Sequence, residues 1–216
     1  GSAIVGNQNG ALAADLGAGA GNDNPAVRAF NFYTEFSRSD KDSYSWSRSL
    51  PSSFDMFVSG NLALYFGYAS EYQSIKARNP HLNFDVAPMP QPDKTLNRST
   101  FGQMQGVAMV KASKNLPGAM YAEILLSDSG IIGSLAQKLG LPPVRRDLLS
   151  TPSSTNASSP IFYDAALISK AWLDPSPSDT NQLFQTAIDD INSGRYKTSE
   201  ALDIMQGRIN KLLSNT

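Results

Sequence analysis

Apolar residues recur at three- and four-residue spacing near the start and through the second half of the chain, and between these regions lie short apolar runs broken by glycine and proline. The first helical pattern opens at Asn24 and Pro25, a side-chain cap followed by a proline suited to the first helical position. Val27, Phe30, Tyr33 and Phe36 then form one core-facing stripe, thickened by Phe32. Residues 38–51 are polar with Tyr44 and Trp46 interspersed, the pattern of a loop crossing an aromatic-lined surface or tucking its aromatics into the core. Phe54, Phe57 and Val58 mark a helical turn, Gly60 breaks it, and residues 62–66 read as a short buried strand ending at Gly67. A helix over residues 71–78 follows, with Tyr72, Ile75 and Ala77 inward. Tyr68, Ala69 and Ser70 therefore fall at the strand's C-terminal edge beside free helical N–H groups, where open α/β sheets commonly bind ligands.

Residues 82–89 alternate Leu82, Phe84 and Val86 with Asn83 and Asp85, and Pro88 and Pro90 end the run, which predicts a second strand. Residues 101–106 lead into a third, over 107–110. Helices are predicted over 117–126, with Ile124 and Leu125 inward, and over 129–139, with the stripe Ile131, Ile132, Leu135 and Leu139. Gly140 caps the latter, and Pro142 and Pro143 prevent its continuation. Residues 151–160 form a polar connecting segment, after which helices resume over 162–170, 181–192 and from Ser199 to about Leu213. The whole predicts an α/β fold, helix-rich with few strands, occupying residues 25–216. Residues 1–24 are glycine- and alanine-rich without a sustained period, and are expected to be irregular and poorly packed, as at the cut edge of a missing lobe.

Composition narrows the chemistry. The 216 residues suffice for a substantial core, and a net charge of −1 offers no basic face for nucleic acid. With no cysteine and one histidine, His81, a zinc site of usual composition is not expected. Phosphate-binding glycine loops in a strand–turn–helix setting, a GxSxG elbow and a recognisable carboxylate pair are absent from the sequence, so neither an enzyme nor a cofactor is predicted. No apolar run in the sequence is long enough to span a bilayer. A sugar pocket, by contrast, wants a stacking aromatic beside short-reach donors and acceptors, which Tyr68, Glu71 and Gln103 supply from loops at the strand ends. Trp172, beside the proline-rich break at Asp174–Pro177, either completes the wall of that pocket or plugs the space between helices, and Trp46 poses the same choice.

Four motifs carry a resemblance: FxxGxxAxxFGYxxE at residues 57–71, LNFDVAPMP at 82–90, GVAMVKASKNLPGAMYAEILLSDSG at 106–130 and INSGRYKTSEALDIMQGRIN at 191–210. In this order and spacing the chain resembles the C-terminal lobe and closing helices of an extracellular solute-binding protein of an ABC importer, of the maltose-binding-like, carbohydrate-oriented group. The likeness spans roughly residues 25–213, about half of a full member. It implies a type II periplasmic-binding-protein-like fold that traps a solute between two lobes and docks on a membrane permease. It also implies a monomer outside the cytoplasm, periplasmic or lipid-anchored. The expected ligand-binding residues are Tyr68, Ser70, Glu71, Gln103, Trp172 and Trp46, with no catalytic or metal-binding residue. The family's turn after the strand usually offers Trp or Tyr, and Tyr68 stands there; around 102–106, where relatives place a bulky aromatic, FGQMQG has only Phe101 at its edge. The competing reading is a protein-interaction or structural module that binds no small solute.

Overall fold

The computed structural model describes residues 3–8, 10–17, 21, 23–91, 98–150 and 157–214. In chain order its elements are β1 (Val5–Gln8), β2 (Ala11–Ala14), α1 (Pro25–Glu35), α2 (Ser53–Val58), α3 (Glu71–Arg78), β3 (Thr100–Phe101), α4 (Leu116–Leu126), α5 (Ser129–Leu139), α6 (Arg146–Leu149), α7 (Ser159–Leu167), β4 (Ser169–Lys170), α8 (Pro177–Asn192) and α9 (Thr198–Leu213). This is a mixed α/β fold, rich in helix, with only a few short strands. No described helix is long and apolar enough to cross a membrane. The chain divides into two compact units, one made of residues 1–50 and 172–216 and the other of residues 51–171.

The first unit is organised on α9. Leu202, Met205 and Ile209 recur along one face of this helix and are buried with Ala14, Leu16, Val27 and Ala187. Phe30 of α1 stacks on Phe184 of α8 at 6.0 Å. Residues 1–24 are not the irregular, poorly packed segment the sequence predicts. Over their described part β1 and β2 pair antiparallel, Val5 opposite Ala14 and Gln8 opposite Ala11, around Gly10 at a φ of 89°. The hairpin is anchored by amide side chains of α9: Asn210 Oδ1 accepts from the Ala14 N–H at 2.7 Å and Gln206 Oε1 from the Leu16 N–H at 2.9 Å. These satisfy backbone donors that would otherwise be buried without partners. Asn24 caps α1 by accepting from the Ala26 N–H at 2.7 Å, while its own amide donates to the Leu16 and Gly17 carbonyls. Within the α1 stripe, Val27 is buried and Phe30 half-buried, but Tyr33 is exposed and lies against Trp46.

In the unit of residues 51–171 the predicted strands do not form. Residues 62–66, 82–89 and 107–110 lie outside any strand, and the one described ladder joins β3 to β4, parallel, Thr100 opposite Ser169 and Phe101 opposite Lys170. The alternation at 82–86 survives as burial: Leu82, Phe84 and Val86 are half-buried and Asn83 and Asp85 exposed. A period of two selects a face, but a sheet also needs neighbouring backbones to pair with, and among the described residues these runs have none. Without a sheet beneath them, the helices keep their apolar sides open. Ile124, Leu125, Ile131, Leu135 and Leu139, expected inward, are all exposed. The predicted helix over 162–170 begins earlier, at Ser159 with Pro160 in its first turn, and yields to β4 at its end. Of the predicted polar connection at 151–160, residues 151–156 lie outside the described residues. Order in this unit comes from an aromatic cluster in which Phe57 stacks on Tyr65 at 5.5 Å, Phe84 meets Phe57 and Tyr72, and Tyr72 meets Phe162.

Candidate functional site

The turn at residues 67–71 is built on one carboxylate. Glu71 opens α3 and reaches back over the preceding turn, accepting the Tyr65 hydroxyl on Oε1 at 2.9 Å and the Tyr68 N–H on Oε2 at 2.6 Å. The acidic group also sits at the N-terminal end of a helix, where its charge is favoured. Gly67 is required by this closure, since a Cβ there would stand 2.5 Å from the Tyr65 ring and 2.6 Å from Glu71 Oε2. Burial against the aromatic cluster, and then the hydrogen bond and charge of Glu71, push the Tyr65 phenol up to about 12.

With Tyr65 and Glu71 tied together, Tyr68 is held at the outer end of the turn, 43% exposed. Its ring lies 6.3 Å from that of Phe101, tilted by 58°. Phe101 is fixed by β3: the Thr100 N–H donates to the Ile168 carbonyl at 3.2 Å and the Gly102 N–H to the Lys170 carbonyl at 3.1 Å. A Cβ at Gly102 would come within 2.7 Å of the Ser169 Cβ, so this close approach needs glycine. Ser70 and Gln103 are exposed, and neither side chain makes a hydrogen bond among the described residues.

Four of the six residues expected from the sequence, Tyr68, Ser70, Glu71 and Gln103, thus belong to the unit of residues 51–171, on the two loops that Tyr68 and Phe101 bring together. Trp46 and Trp172 belong to the other unit and both are half-buried. Trp46 packs on Tyr33 at 5.2 Å between ring centroids, and its main-chain N–H donates to the Phe36 carbonyl. Each carboxylate oxygen of Glu71 accepts one hydrogen bond from the chain itself, and together these hold Tyr68 in the turn. The sequence reading treated Phe101 as an edge residue and gave Tyr65 no part; a tyrosine six residues before a glutamate, on either side of a glycine turn, is the signal that pointed to the clasp.

The arrangement offers two aromatic faces, a hydroxyl and a primary amide, the groups a polyol with an apolar ring face uses. No group of three or more His, Cys, Asp or Glu side chains positioned to hold a metal ion occurs among the described residues. A groove of about 430 Å³ between α8 and α9 in the other unit has Gln182, Thr186, Arg208 and Lys211 on its walls and none of the residues expected from the sequence. Compared with known families and with characterised proteins, the chain matches no family model and no characterised sequence.

Proposed function

We propose that the chain is the substrate-binding component of an ABC transporter with a type II periplasmic-binding-protein-like fold. It captures a small solute, a sugar or oligosaccharide, outside the cytoplasm and delivers it to a membrane permease; the periplasmic or lipid-anchored location follows from that role. The observation that carries the reading is the open aromatic pair of Tyr68 and Phe101, held by the Glu71 clasp and by β3, with the unengaged Ser70 and Gln103 side chains on the same two loops. The order of the four sequence motifs supports it independently.

Calorimetric titration with a panel of mono- and oligosaccharides tests this reading. Tyr68→Ala removes a half-exposed ring whose packing partner is Phe101, so the loss falls on binding, by about one to a few kcal/mol, with the unfolding midpoint nearly unchanged. A Tyr68→Ala protein that melts early and binds sugar normally refutes the assignment. A second reading, a protein-interaction module, is favoured by the apolar surface of α4, none of whose residues is buried. Absence of binding to every sugar tested, with retention of a protein partner, selects it.

A further inference from the structure

The ladder of β3 and β4 places a charge beside the aromatic pair. In a parallel pair, residues in register turn their side chains to the same face and their chain neighbours to the other. Phe101 is in register with Lys170, and Thr100 with Ser169. A Cβ at Gly102 would stand 2.7 Å from the Ser169 Cβ, so Gly102 shares the Ser169 face, and Phe101 and Lys170 lie together on the opposite one. Tyr68 meets that same face, its ring 6.3 Å from that of Phe101. Lys170 is exposed and forms no ion pair among the described residues, and the cation–π contacts there belong to Lys76, Arg78 and Arg195. The segments that build the pair, residues 67–71, 98–103 and 168–171, hold two bases, Arg98 and Lys170, and one acid, Glu71. Glu71 is half-buried and accepts a hydrogen bond on each oxygen, whereas Arg98, like Lys170, has no ion pair among the described residues. The charge left open to a ligand is positive.

We propose that the solute is a negatively charged saccharide whose ring packs on Tyr68 and Phe101 and whose carboxylate or phosphate pairs with Lys170. This deepens the solute-binding reading and rests on it. Lysine is a compact point charge on a flexible four-carbon stem, suited to an anion carried at the edge of a ring without the planar match that arginine demands. A neutral sugar leaves the ammonium without a partner, and an amino sugar brings like charges together. Register makes the lysine specific to this face: one residue earlier or later in the chain, it would turn to the other face, away from both rings. An ion pair as exposed as this one contributes a factor of about two to five in affinity, enough to rank ligands by charge.

Calorimetry on the full chain with an oligogalacturonate and its methyl ester, and with glucose, glucuronate and glucose 6-phosphate, reads the preference, because the ester keeps the rings and loses the charge. The expected result is that the anionic sugar binds about threefold tighter than its neutral counterpart at ~0.01 M salt, the gap closing towards ~1 M. Lys170→Gln removes the gap without weakening the neutral sugar, and Lys170→Arg restores it. Lys211→Gln, in the other unit, takes the same charge from the chain and leaves the gap unchanged. Lys170 holds β3 through its main-chain carbonyl, which glutamine keeps, so the unfolding midpoint stays in place. If Lys170→Gln does not fold, the salt series on the unaltered chain and Lys170→Arg still decide. A preference for either anion over glucose supports the proposal, and the larger preference names the group. Equal binding of acid and ester, or a gap that survives Lys170→Gln, overturns the proposal and leaves the sugar reading standing. Absence of binding by every saccharide, charged and neutral, overturns both.

Discussion

Replacing Glu71 tests the clasp at the centre of the candidate site. Its carboxylate takes one half-buried hydrogen bond from Tyr65 and one exposed bond from the Tyr68 N–H. Hydrogen bonds to a charged group contribute about 1.5–3 kcal/mol each when shielded and far less when water can replace the partner. Glu71→Ala should therefore cost about 2 kcal/mol, nearly all from the Tyr65 side, and shift a urea midpoint by roughly 1 M for a unit of this size. Glu71→Gln keeps an acceptor for the Tyr68 N–H, and its NH₂ group can donate to a reoriented phenol, so its cost should stay below about 1 kcal/mol. The pH profile gives a separate check. The folded Tyr65 phenol lies above its ordinary value of 10.0, at about 12, so its contribution to stability is complete below pH 10 and is lost as the pH rises through 12. In Glu71→Gln the carboxylate's charge is gone and burial is left as the main cause of the shift, so the loss should still begin near pH 10 but level off at lower pH and be smaller in total. Urea melts between pH 7 and 12, with carbon-13 labelling of tyrosine Cζ to follow the phenol, read both effects. If Glu71→Ala leaves the midpoint unchanged and the Tyr65 titration unmoved, the clasp does not hold the turn, and the account of how Tyr68 is positioned fails with it.

Two further outcomes concern the other unit. Ile209 is fully buried at the centre of the α9 face, and Ile209→Ala should destabilise this unit by about 2–5 kcal/mol in a denaturant melt. Asn210→Leu removes the acceptor for the Ala14 N–H, so hydrogen exchange at Ala14 should speed up by about tenfold, a loss of ~1.4 kcal/mol, while α8 stays protected.

The helices were the part of the fold most legible in the sequence, because their signals are local. Asn24 caps α1, Gly140 ends α5 at a φ of 66°, Gly194 follows α8 at a φ of 71°, and Leu202, Met205 and Ile209 mark the inner face of α9. The strands were misread because an alternating pattern specifies which side chains turn inward but not whether a neighbouring backbone lies within reach. The hairpin at the N-terminus was missed for the opposite reason: its partners, Gln206 and Asn210, are ordinary polar residues on α9 whose reach to Leu16 and Ala14 leaves no local trace. At the site, the turn carrying Tyr68, Ser70 and Glu71 was legible from Gly67 and the start of α3. The internal engagement of Glu71 was not, since a carboxylate facing a ligand and one facing a tyrosine hydroxyl look alike in sequence.

The stitching of the hairpin to α9 has a consequence for synthesis on the ribosome. The residues joined by these hydrogen bonds are 196 and 190 positions apart, and residues 51–171 are made between them. At roughly 5–20 residues per second, β1, β2 and α1 emerge about 10–40 s before the helix that completes their core. During that interval residues 51–171 are extruded as one continuous stretch, free to collapse on their own local contacts. Assembly of the discontinuous unit therefore waits for α9, and the turns of that helix from Leu202 onward decide when β1 and β2 are protected from proteases and chaperones.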